Sequence, residues 1–327
     1  MWQVIGQPRA TRLLTRSIET GQLSHAYIFV GPCHVGKSTL ALNLAQAVNC
    51  QASDRPCGQC VSCRRIAAGK HVDVQIISAG SEAKRDIAIK QIGYMQMDAS
   101  LPPYEGRCKV FIFDRAETLS REAANRLLKT LEEPLPRVLM ILLTARENDV
   151  LPTIISRCQR VELRPLPVAL IKELLTEEFA VGQEKADLLA RASGGCLGWA
   201  LRALQDKGLT ETRGQRLSTL IDMGRANATQ RFAYAAELAT RFSKERGEVE
   251  EFLELWLGWW HDLLLIQGGN EGLITNIDHQ PTLIQQAKAL SMKQVTDFIH
   301  RLQEVTRQLE QNASPRLVFD MLMLSMP

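Results

Sequence analysis

Tyr27-Ile28-Phe29-Val30-Gly31-Pro32-Cys33-His34-Val35-Gly36-Lys37-Ser38-Thr39 decides how the rest of the chain is read. Four apolar residues form a short buried parallel strand. Gly31, Gly36, Lys37 and Ser38 then satisfy G-x-x-x-x-G-K-[ST], and the Ala/Leu-rich run from Leu40 to Val48 predicts a helix. Strand, loop and helix are the context that makes this pattern a phosphate-binding loop rather than a glycine-rich turn with a chance lysine. Glycines let the backbone wrap an anion, and the N–H groups opening the helix point at it. Lys37 would neutralise β/γ-phosphate charge and the Ser38 hydroxyl would hold Mg²⁺. The loop candidates for nucleotide contact are Gly31, Pro32, Val35, Gly36, Lys37, Ser38 and Thr39.

Outward from the loop, the strands continue. Asp73–Ile77 and Lys109–Asp114 read as strands, the second ending in a carboxylate, Asp114, placed to approach the Mg²⁺ shell or else to cap a turn. Val138–Thr144 is another buried strand ending in a hydroxyl, Thr144, suited to a γ-phosphate or to capping the next turn. Gln159–Leu163 follows a short helix at Ser156-Arg157-Cys158. Helices are expected over residues 8–20, 84–97 and 118–133, the last capped at Ser120 and stopped by Pro134. The series is βαβ with parallel strands. The residue after Asp114 is Arg115, where an ATPase of this type commonly carries the glutamate that positions water; Glu117 stands two further on and need not point the same way.

Cys50, Cys57, Cys60 and Cys63 form a C-x6-C-x2-C-x2-C cluster. Four thiolates can close a tetrahedron around a structural Zn²⁺, leaving no open ligand position; a redox or coincidental cluster is the alternative. Gly58 helps the turn, and Arg55, Arg64 and Arg65 offset the charge. Cys33, Cys108, Cys158 and Cys196 are scattered and read as small buried hydrophobes. His25 reads as structural. With 327 residues, 45% hydrophobic and 23% charged, the chain has the composition of a soluble globular protein of two or three domains. Its net charge of +3 argues against a strongly basic nucleic-acid binder acting alone. No apolar run approaches a membrane span, and Met1–Gln7 lacks a signal pattern, which places the protein in the cytoplasm, where thiols stay reduced.

Pro165-Leu166-Pro167 marks a boundary. Helices over 168–179 and 184–192 follow, and Ser193-Gly194-Gly195-Cys196-Leu197-Gly198-Trp199-Ala200 leads into a third. Beyond about residue 211 everything reads helical; the stripe Phe252, Leu255, Trp256, Trp259 and Trp260 suits a core better than an interaction surface. Lys84, Arg85 and Lys90 suit a solvated face better than a phosphate contact.

Several of these strings together resemble the AAA+ clamp-loader subunits of bacterial DNA polymerase III, delta-prime type: Val4-Ile5-Gly6-Gln7, Ser24-His25-Ala26-Tyr27, the four-cysteine module, Asn125-Arg126-Leu127-Leu128-Lys129-Thr130-Leu131-Glu132-Glu133-Pro134, and Ser156-Arg157-Cys158. The resemblance covers residues 1–205; the remainder carries no sharp motif. It implies an α/β P-loop domain with an αβα parallel sheet at 1–164, with the cysteine module (50–63) inserted, a three-helix lid at 165–208 and an all-helical collar at 209–327. It further implies a ring of five different subunits that uses ATP to load a sliding clamp on primed DNA, with no membrane partner. Val4 and Ile5 would join the nucleotide contacts, Thr144 would be the sensor, and Arg157 would be an arginine finger reaching a neighbour's ATP. Leu197 stands where motor subunits carry a lid arginine. With Arg115, this predicts a subunit that holds ATP or ADP while hydrolysing little or none itself; a gamma-type ATPase motor is the alternative.

Overall fold

The computed structural model describes residues 2–80, 86–311 and 313–327. Lys84 and Arg85 lie outside the described residues. Two compact units are present: residues 1–167 with 195–199, and residues 168–194 with 200–327.

The first unit is built on β1 (Ala26–Val30), β2 (Val74–Ile77), β3 (Lys109–Phe113), β4 (Val138–Thr144) and β5 (Gln159–Glu162). All four neighbouring pairs are parallel, in the order β2-β3-β4-β1-β5. Every residue of β1, β3 and β4 is buried, as a continuous apolar run in a two-sided sheet requires. Alternate side chains still choose opposite faces. Ile28, Phe111, Phe113, Met140 and Leu142 pack toward α4 (Ile89–Ala99) and α5 (Arg121–Glu132). Phe29, Val110, Ile112, Leu139 and Ile141 pack toward α1 (Pro8–Glu19), α2 (Lys37–Asn49) and α3 (Val61–Ala67). The result is the expected αβα sandwich. It puts the carboxyl ends of β1, β3 and β4, and hence the loop, Asp114 and Thr144, on one rim.

β5 is an edge strand, paired only to β1. It carries charge along its length: Arg160 pairs with Glu147 at 2.8 Å and with Glu162 at 3.3 Å, and Arg164 pairs with Glu162 at 2.9 Å. A short helix, α6 (Pro152–Ile155), sits just before it.

In the second unit, α7 (Val168–Glu177) and α8 (Gln183–Ala192) are followed by α9 (Leu197–Gln205), which begins in the first unit. Six further helices complete it: α10 (Lys207–Arg225), α11 (Ala228–Lys244), α12 (Arg246–Gln267), α13 (Gln280–Ala289), α14 (Met292–Glu310) and α15 (Pro315–Leu324). The tryptophan stripe of α12 is core: Trp256, Trp259 and Trp260 are 0%, 1% and 5% exposed, and Trp260 stacks on Phe298 of α14 at 4.3 Å. Among the described residues no helix is long and apolar enough to cross a membrane.

Candidate functional site

Gly36 is the N-cap of α2 at φ 108°, a conformation that suits glycine, and the helix opens directly on Lys37. Ser38 and Thr39 are exposed on its first turn and Val35 is buried beneath it. The Lys37 ammonium folds back to donate to the Gly31 carbonyl at 2.6 Å and the Pro32 carbonyl at 2.8 Å. Burial pushes its pKa down from the ordinary lysine value, against the opposing pull of Cys33, Glu117, Cys196 and Asp114. An anion in the loop would replace the two carbonyls as acceptor and restore the preference for charge.

The rim residues gather around this loop. The Gly31 N–H donates to the Thr144 carbonyl at 3.2 Å, tying the loop to the end of β4. The Thr144 hydroxyl accepts from the Arg146 N–H at 3.1 Å, so it caps the following turn. Asp114 leaves β3 half-buried. Arg115 then takes φ 56° and turns out to solvent, and a tight 3₁₀ turn over Ala116–Thr118 follows. That turn brings Glu117 back to the rim, within electrostatic reach of Lys37, with its Oε2 buried and without a hydrogen-bond partner among the described residues. Spacing alone did not give this direction, because the left-handed residue that reverses the chain is an arginine and not a glycine.

The N-terminal box is strapped beside the loop. The Gln3 and Val4 N–H groups donate to Asn43 Oδ1 at 2.7 and 3.2 Å, and a Cβ on Gly36 would lie 3.2 Å from Val4 Cγ2. Asn43 passes the connection on: its Nδ2 donates to Gln46 Oε1 at 3.0 Å, and Gln46 Nε2 donates to the Cys63 carbonyl at 2.9 Å. Asn43, Gln46 and Asn49 are all 2% exposed or less. Sequence reasoning passed over this row; its signal was three amides spaced three apart on an otherwise apolar helix. Gly198 was also missed. Its N–H donates to the His34 carbonyl of the loop at 3.1 Å, and a Cβ there would sit 2.6 Å from that oxygen. Leu197 beside it is 9% exposed and supplies no charge.

Arg157 lies past the end of α6 and is partly exposed. Its Nη1 donates to the Thr153 carbonyl at 2.9 Å and to Ser156 Oγ at 3.4 Å, and its Nη2 pairs with Glu132 at 2.7 Å. His25, just before β1, has its Nε2 3.1 Å from the Leu131 carbonyl in the last turn of α5.

Away from the rim, the sulfurs of Cys50, Cys57, Cys60 and Cys63 all lie within 4.8 Å of one another. A tetrahedral zinc with Zn–S of about 2.3 Å separates its sulfurs by about 3.8 Å, so the donor set fits with small adjustment. The Cys60 and Gln59 N–H groups donate to Cys57 Sγ and lower that thiol to about 6, whereas burial pushes Cys63 up to about 12. A divalent metal would ionise both. The reading of the other cysteines as buried needs one correction. Cys33 is exposed on the loop, because that loop must stay open to solvent, and Cys108 and Cys158 are only half-buried.

Both halves of the chain match known families. Residues 6–167 match the family described as DNA polymerase III, delta subunit, and residues 210–326 match DNA polymerase III, delta subunit, C terminal. The DNA polymerase III subunit delta' of Bacillus subtilis is 31% identical over 323 residues, covering 97% of this chain and 95% of that one. The subunit tau of Escherichia coli is 34% identical over 288 residues, 81% of this chain but 43% of tau. Among solved structures, a DNA polymerase III gamma subunit-related protein of Thermotoga maritima covers 88% of this chain and 96% of its own at 20% identity, with a TM-score of 0.41. With both units matched and the delta' relative aligned nearly end to end, the chain belongs to the DNA polymerase III delta-subunit family, delta-prime type.

Proposed function

We propose that the chain is a non-motor member of a clamp loader. It holds ATP or ADP with Mg²⁺ in the loop from Gly31 to Thr39 and lends Arg157 to the ATP of a neighbouring subunit. In this reading Asp114 and Ser38 face the metal, Thr144, Val4 and Ile5 border the nucleotide, and the four cysteines hold a structural Zn²⁺. Residues 165–208 act as the lid, and 209–327 as the collar joining a hetero-pentameric ring that meets the sliding clamp and primed DNA in the cytoplasm. The arginine stabilises charge developing on a γ-phosphate in trans. The observation that carries the reading is Arg115: the residue following Asp114 is a solvent-facing cation, so the usual water-positioning carboxylate is missing from its place.

The test is paired on the isolated, zinc-loaded protein: equilibrium ATP binding, and steady-state hydrolysis with and without primed DNA. Binding without turnover is expected; robust turnover would overturn the reading. One observation favours a gamma-type motor instead, namely the buried, unpartnered Oε2 of Glu117 near Lys37. If turnover is found and Glu117→Gln abolishes it, the motor reading stands and Glu117 is its base.

A further inference from the structure

Arg157, in the turn after α6, is held from two sides. Its Nη1 donates to the Thr153 carbonyl and Ser156 Oγ, and its Nη2 forms an ion pair with Glu132 Oε1 at 2.7 Å. The Nε proton has no acceptor among the described residues, and the Nε–Nη2 edge of a guanidinium is the one that makes a forked contact with a phosphate. Glu132 is the last residue of α5, where the negative end of the helix dipole disfavours a carboxylate. Its place there is compensated by the guanidinium beside it. The carbonyl of the preceding residue, Leu131, is in turn fastened to His25. At its other end α5 is capped by Ser120, whose hydroxyl accepts from the Ala123 N–H at 3.1 Å, immediately after the turn that carries Asp114 and Glu117. The finger is therefore mounted on a rod whose two ends are both fixed to the sheet rim or the strand leading to the loop.

We propose that Glu132 is a positioning residue for Arg157: it fixes Nη2 so that the free edge of the guanidinium is presented outward in one orientation. This deepens the finger reading above and rests on it. An exposed ion pair is weak and so does little for folding. It can still select one rotamer of a long, flexible side chain, and misplacement of a reacting group by about 1 Å costs up to about a hundredfold in rate.

The experiment uses the assembled loader, reconstituted with its ATPase subunits and carrying this chain as wild type, Glu132→Gln, Arg157→Ala or the double variant. Steady-state ATPase is measured with clamp and primed DNA, and assembly is checked by size. Glu132→Gln should lower kcat about five- to tenfold with KM for ATP unchanged. In the Arg157→Ala background it should cost nothing further. A normal rate with Arg157→Ala would remove the finger reading itself. Impairment by Arg157→Ala with no effect of Glu132→Gln, or losses that multiply in the double variant, would overturn the role of Glu132 alone.

Discussion

Replacing Asn43 by Leu keeps the branching of a fully buried side chain while adding bulk, and removes four hydrogen bonds at once, the longest of them, 3.5 Å to the exposed Gln3 Oε1, being readily replaced by water. The Gln3 and Val4 N–H groups lose their acceptor, but both residues reach solvent and recover water, so each loss is worth about 0.5–1.5 kcal/mol. Gln46 is 2% exposed, and its Oε1 is left with no donor, which costs about 1–3 kcal/mol. The sum is about 2–6 kcal/mol. At roughly 2–4 °C per kcal/mol for a unit of this size, Tm should fall by about 4–24 °C. Thermal unfolding followed by circular dichroism reads it, with ATP affinity as a second measure because the displaced Val4 abuts Gly36. A Tm within about a degree of the parent would show that these bonds contribute nothing net to stability, and the argument for the amide row as a structural tie would fail.

Cys60→Ser should lower the zinc content of the purified protein and destabilise it by several kcal/mol, since structural metal binding is folding energy; equal zinc by elemental analysis would remove the assignment. Gly198→Ala would drive a methyl to 2.6 Å from the His34 carbonyl, so the Gly198–His34 bond should break at a cost of about 1–3 kcal/mol, visible as a lower Tm and weaker nucleotide binding. Burial works against ionisation of Asp73, but N–H groups from Tyr104, Glu105 and Gly106 outweigh it and hold its folded pKa below the ordinary carboxylate value. That depression makes its contribution complete above the unfolded pKa of about 3.9 and lost as pH falls through the folded value. The stability gap between parent and Asp73→Asn should narrow through this acid range; a gap independent of pH would show that Asp73 does not titrate on unfolding.

The parallel sheet was legible because it is written locally. Val138–Thr144 reads as one apolar run and is β4 end to end, and Ser120 announced itself as a cap by its place before Ala123, Leu127 and Leu131. The loop was legible because glycine, lysine and serine at fixed spacing serve one ligand chemistry. What stayed hidden depends on partners distant in the chain. Nothing near His25 says that its ring meets the Leu131 carbonyl, and nothing near Glu132 says that Arg157 returns to it. Glu117 was uncertain for a different reason: its direction hangs on one backbone angle at Arg115, which residue type does not encode. The helix α3, which starts at the end of the cysteine module, was not read either, because its seven residues are too few for a periodic stripe to show.

The charged edge strand has a consequence for the company this chain keeps. A sheet margin offers unpaired backbone donors and acceptors to any extended segment that passes. Along β5 and just past its end, Arg160 pairs with Glu147 and Glu162 and Arg164 pairs with Glu162, so a strand laid against that margin must first dismantle this chain and then face charges of both signs. At this margin of the sheet, the side that ends in β5, edge-to-edge pairing with a passing strand is therefore disfavoured.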